Sequence, residues 1–202
     1  MNPIDRPSLR VRLVAVLVAI CLSAEGASMP SATTTLRIEG VELEVGIQAG
    51  ASPTRLAFRY RLHNGTGVAL AVFDRGDSHA VATRRLKAGA VAPPAFEVSA
   101  TDLTLSHVAA ALAEPTPTVP RIALAVRVDA GATLDGRFDY SIDADVRRLR
   151  WCLGTLPFDA ATFIAVDGSE PPVWRAPLAA AQTQRLLCTP WYLVEERRFS
   201  AD

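Results

Sequence analysis

Lysine is almost missing from this chain of 202 residues: Lys87 stands against twenty arginines, and 21 basic residues are balanced by 21 acidic ones. With no net charge and no basic cluster, the sequence carries no electrostatic footprint for nucleic acid. Arginine in place of lysine, with abundant alanine, indicates a GC-rich bacterial genome. Histidine is as scarce, with His63, His79 and His107 alone. There is no Gly-x-Ser-x-Gly elbow, no glycine-rich phosphate loop and no His-Glu-x-x-His pair, so the sequence nominates no catalytic residue, cofactor or metal ligand. A triad gathered from distant positions leaves a small periplasmic hydrolase or carbohydrate-active enzyme as the alternative function.

Apolar runs of membrane-spanning length are also lacking, since a span needs roughly 20 residues. The one long apolar run, LVAVLVAICL ending at Leu22, follows Arg6, Arg10 and Arg12 and precedes the small residues Ser23 to Ser28. That order is the layout of a secretory signal peptide. The expected cut follows Gly26, which leaves 27–33 as a flexible N-terminus, 34–202 as one domain and no transmembrane segment in the mature chain. Export to the periplasm or the cell exterior is the expectation. Cys21 offers a lipoprotein anchor instead, but Ile20 stands where such a signal takes Gly, Ala or Ser.

Cysteine is sparse as well. Beyond Cys21 there are Cys152 and Cys188, and an even pair in an oxidising compartment predicts a disulfide. The bridge is expected to pin the ends of an excursion loop over 156–178. Trp151 and Trp191, beside those cysteines, are expected to pack around it, and Trp174 within the excursion is a candidate surface contact, with covering the core as its preferred role.

What is abundant is alternation. In VELEVGIQ, Val41, Leu43, Val45 and Ile47 share one face; in RLAFRYRLH, Leu56, Phe58, Tyr60 and Leu62 do so. Period 2 with one apolar face marks strands half in water. GVALAVFD is apolar on both faces and predicts a central strand. Further strands are predicted at 80–86, 96–105, 121–129, 133–142, 146–153, 162–166 and 185–196, with a hairpin turn at Asp129-Ala130-Gly131-Ala132. Short edge helices are predicted at 105–114 and 176–184, and the prolines of 115–120 mark a stiff connector between them, the best candidate for a boundary between two units.

Three motifs crowd into residues 64–78. Asn64-Gly65-Thr66 fits a glycosylation sequon, but Leu62 replaces the acidic residue of the bacterial form, and a tight reversal accounts for it. Arg75-Gly76-Asp77-Ser78 matches an integrin-type adhesion tripeptide, which makes Arg75 and Asp77 candidate contacts, although turn chemistry also explains it. The acidic series Asp139, Asp143 and Asp145 reads as the polar face of a strand.

The phrase L-x-F-x-Y-x-L-x-N-x-T-x-x-x-L-x-V from Leu56 to Val72 resembles the second and third strands of bacterial immunoglobulin-like domains. Val128 to Phe138, V-D-A-G-A-T-L-x-G-x-F, is similar to their fifth-strand approach. The resemblance spans roughly residues 40–140. It implies an all-β, antiparallel immunoglobulin-like sandwich in which the Asn64 turn carries the chain between facing sheets. Such folds host binding and scaffold roles, so the expected function is a non-catalytic envelope module whose partner is another envelope protein, with any small-molecule ligand unknown. The surfaces nominated for contact are the 74–78 loop and the excursion.

Overall fold

The computed structural model describes residues 31–50, 52, 54–111 and 121–201. The signal segment, Cys21 and the proline connector lie outside the described residues. The strands are β1 (Ser31–Ile38), β2 (Val41–Ala49), β3 (Arg55–Asn64), β4 (Leu70–Val72), β5 (Ala95–Ser99), β6 (Asp102–His107), β7 (Leu124–Val128), β8 (Thr133–Ser141), β9 (Arg148–Pro157), β10 (Ile164–Val166), β11 (Val173–Arg175), β12 (Arg185–Cys188), β13 (Tyr192–Leu193) and β14 (Arg198–Phe199). Two short helices, α1 (Ser78–Ala82) and α2 (Ala180–Thr183), complete the described elements.

They form two sheets. The first runs β1-β2-β3-β8, all antiparallel. The second runs β10-β11-β7-β4-β9 and continues through β13 and β14. Its long strand β9 has β6 and β4 on one edge and β12 and β13 on the other. The β6–β9 pair is parallel, so the expectation of a purely antiparallel fold is corrected there.

Alternation explains the interior. Val41, Leu43, Val45 and Ile47 of β2 and Leu56, Phe58, Tyr60 and Leu62 of β3 are buried against Leu70, Val72, Leu105, Val126, Trp151 and Leu153 of the facing sheet. Each large side chain so buried contributes about 1.5–3 kcal/mol. Strand β4 is central, as its sequence predicts. Leu70 and Val72 face the inter-sheet core, while Ala71 and Phe73 join a second cluster with Ala125, Phe163, Ala176 and Ala180 on the opposite face.

Several expectations are corrected. Residues 80–86 are not a strand: α1 begins at Ser78 because the Asp77 carboxylate accepts the Ala80 N–H at 2.8 Å and caps it. The single strand predicted over 96–105 is the hairpin β5–β6, turned at Ala100 with φ 54°. The helix predicted from 105 begins inside β6, where Leu103, Leu105 and His107 are buried in alternation. Residues 31–33, expected to be flexible, pair with β2. The 129–132 turn is no hairpin, because β7 lies in one sheet and β8 in the other. The 185–196 strand is split around Pro190 into β12 and β13. The excursion is no loop, since β11 pairs with β10 and with β7 and extends the second sheet.

The disulfide forms between Cys152 and Cys188, which are directly paired residues of β9 and β12. No helix among the described residues is long and apolar enough to cross a membrane.

Candidate functional site

Asn64 is fully buried at the end of β3. Its Nδ2 donates to the carbonyls of Val68, Val128 and Asp129 at 2.9, 3.0 and 3.1 Å, and its Oδ1 accepts from Thr66 N–H and Oγ1. An amide with every donor and acceptor engaged, and no exposed surface, presents nothing to a glycosyl donor. It instead holds both crossings between the sheets, β3 to β4 and β7 to β8. The Asn64 turn therefore does what its sequence predicts.

The adhesion-type tripeptide is taken apart by the fold. Arg75 is only 5% exposed and lies 3.2 Å from the carboxylate of Asp74, which is itself fully buried, while Asp77 caps α1. Arg75 is therefore corrected from a candidate contact to an interior residue.

Around Asp74 lies a polar cluster inside the sandwich. The Tyr60 hydroxyl donates to Asp74 Oδ2, and its ring packs 4.8 Å from that of Trp151. Gly136 faces this ring, and a Cβ there would sit 2.0 Å from the Tyr60 hydroxyl, so glycine is what admits the tyrosine. Trp151 Nε1 donates to His107 Nδ1 at 3.0 Å, and His107 Nε2 donates to the Ala92 carbonyl at 2.7 Å. Both ring nitrogens are satisfied by the neutral tautomer, and burial lowers the imidazole pKa to about 4. Burial also raises the Asp74 carboxyl, against the pull of Arg75 and the Tyr60 hydroxyl. This cluster is closed to water and serves to fix the packing of the two sheets.

Of the three tryptophans, Trp151 departs from its expected position and Trp174 takes the core-covering role. Trp151 faces the inter-sheet core, with Tyr60 and Phe138, and not the bridge. Trp191 is half-buried, with the guanidinium carbons of Arg148 and Arg150 each 4.8 Å from its ring. Trp174 is half-buried on β11 and packs edge-on to Phe158 at 5.3 Å, covering the second cluster.

Open polar and apolar side chains gather in a groove of about 430 Å³ between α1 and the β10–β11 hairpin. Ser78, His79 and Val81 line it from the helix, and Ala165, Asp167 and Arg175 from the hairpin. Backbone bonds set this geometry: Ser78 N–H to Ile122 O and Leu124 N–H to Gly76 O, both 2.8 Å. Behind α1, Gly89 (φ 86°) approaches Glu170 so closely that a Cβ would lie 2.4 Å from its carbonyl oxygen. Ser78, at the end of the 74–78 loop, and the excursion, far apart in sequence, thus border one groove, which Arg75 and Asp77 do not line. Asp167 and Arg175 form no ion pair among the described residues, and Ile164 beside them on the outer strand β10 is 57% exposed. Arg175, Asp167 and His79 are functional candidates that no sequence motif marks.

The three histidines are scattered. His63 is exposed on β3, His79 lines the groove and His107 is in the core. Compared with known proteins, the chain matches no family model, no curated protein and no solved structure.

Proposed function

We infer that the protein is an exported, non-catalytic binding module of the bacterial envelope, and that it holds a peptide segment of another envelope protein in the groove between α1 and β10–β11. The observation that carries this reading is the meeting of α1, from Ser78 onward, with the excursion at one groove of mixed character. Val81 and Ala165 supply apolar surface, and His79, Asp167 and Arg175 supply charge and hydrogen bonds. The outer strand β10 adds a backbone edge that is unpaired among the described residues and to which an extended segment can pair. Export rests on the basic, apolar and small-residue succession of residues 1–28 and agrees with a disulfide.

The sandwich reads best as immunoglobulin-like. Pairings of β3 with β8, β4 with β9 and β9 with β12 correspond to the B–E, C–F and F–G pairs of that architecture. The bridge departs from it, joining neighbouring strands of one sheet instead of spanning the two.

Capture from an envelope fraction of the native host tests the binding role. Wild-type protein is expected to retain a partner that Ala165→Arg, which fills the groove, does not. Equal retention by the variant removes the groove from the proposal.

A hydrolase is the second reading, because the groove brings Ser78, His79 and Asp167 together. Against it, the Ser78 hydroxyl accepts the Ile122 N–H at 3.3 Å, and no hydrogen bond joins His79 to Ser78 or Asp167 among the described residues. Ester or glycoside hydrolysis abolished by His79→Ala would establish this reading in place of the first.

A further inference from the structure

The outward face of the first sheet holds a second concavity, unrelated to the groove. It is open, about 610 Å³ in volume, and lies across β1, β2, β3 and β8. Arginines on this face are otherwise neutralised: Arg37 pairs with Glu42 at 2.8 Å, Arg55 with Asp139 at 2.9 Å and Arg61 with Asp135 at 2.8 Å. Arg59 and Arg137 have no carboxylate partner among the described residues, and they stand directly opposite one another on β3 and β8. Like charges directly opposed across a strand pair destabilise a sheet. Sheet pairing alone gives no reason to keep two guanidinium groups there.

Gly46 is the independent observation. It lies in the middle of β2, in register with Arg59 and next to Thr33 of β1. A glycine inside a strand weakens it, and is normally accounted for by a positive φ or by a crowding neighbour. Neither applies: its φ is outside the left-handed region, and an added Cβ would meet nothing closer than 3.8 Å. Gly136, by contrast, is required by the Tyr60 ring. What Gly46 does is leave the concavity open beside the two arginines.

We propose that this concavity binds an acidic saccharide, with the oxyanion of the sugar held by Arg59 and Arg137. Arginine's planar fork matches a carboxylate, sulfate or phosphate group through paired N–H donors. Around it, the hydroxyls of Ser31 and Thr33 and the carboxylate of Glu44 line the same space and suit the hydroxyls of a sugar ring. The volume lies in the range of small-ligand sites.

Titration calorimetry with glucuronate, glucose and inorganic phosphate tests this on the folded, oxidised protein. Saturable glucuronate binding is expected, weaker for both glucose and phosphate alone, and reduced about tenfold or more in Arg59→Gln and in Arg137→Gln. Gly46→Val is expected to melt at a higher temperature than wild type while losing the sugar, which separates a kept-open site from a structural glycine. The proposal is overturned if no probe binds at up to about 10 mM. It is also overturned if the three variants bind as wild type does, or if phosphate alone binds as tightly as glucuronate.

Discussion

Asn64 shows how much one buried amide can organise. Replacing it with alanine leaves the Val68, Val128 and Asp129 carbonyls without their donor at the point where both sheet crossings meet. Such a loss costs about 3 kcal/mol or more, read as a lower urea midpoint. Asn64→Asp is expected to cost more, because a carboxylate would face those three acceptors. The Asn-Gly-Thr string signals a reversal in the sequence, but it is silent on the three carbonyls, two of which arrive from residues 128 and 129. His107 gives a pH prediction. Its native pKa of about 4 lies below the unfolded value of about 6.5, so between these limits the unfolded chain binds more protons. This group's contribution is therefore complete above pH 6.5 or so and falls by roughly 3 kcal/mol as the pH drops towards 4. Asp74, with its carboxyl raised by burial, acts in the opposite sense, since its native form keeps a proton that the unfolded form releases. Denaturation of wild type and His107→Gln across pH 4 to 7 isolates the histidine: the variant is expected to lose less stability over that range. An identical pH dependence would refute the assignment.

At the scale of elements, legibility followed the solvent. Strands β2, β3 and β8 have one wet face and one dry one, so apolar alternation reads directly as structure. Strand β4 was legible through the opposite pattern, because the second cluster covers its other face. The sequence misled where local backbone chemistry decided the structure. The run from Ala80 to Leu86 reads as a short strand, yet the side-chain cap at Asp77 turns its first residues into α1. The β5–β6 turn was invisible because Ala100, not glycine, takes the left-handed conformation. The groove was half legible: turn residues marked the 74–78 loop, but Asp167 and Arg175 reach it only through the pairing of β11 with β7. The disulfide followed from cysteine parity together with the expected export, and its energetics can be measured. Cys152→Ser with Cys188→Ser opens a closure across 36 residues and is expected to cost about 3–4 kcal/mol, read as a lower melting temperature, in the chain-entropy account. Unchanged melting after reduction would show that the paired strands need no staple.

The whole molecule has two ends of different character. Strand β7 runs from Leu124 at the groove to Val128, whose carbonyl receives the Asn64 amide. One end of the sandwich is therefore committed to passing the chain between sheets, with its polar groups satisfied internally. The opposite end gathers charge and a strand edge that are unpaired among the described residues, together with apolar surface. Between them the Tyr60, Asp74, His107 and Trp151 cluster fixes how the sheets meet, so the groove is held on a rigid frame. The most direct test of this division places a photo-reactive phenylalanine analogue at Ala165 in the groove, and separately at Asp129 in the crossing turn, in cells of the native host. The account predicts a discrete crosslinked protein from position 165 and none from position 129. Crosslinking from 129 with none from 165 would contradict it.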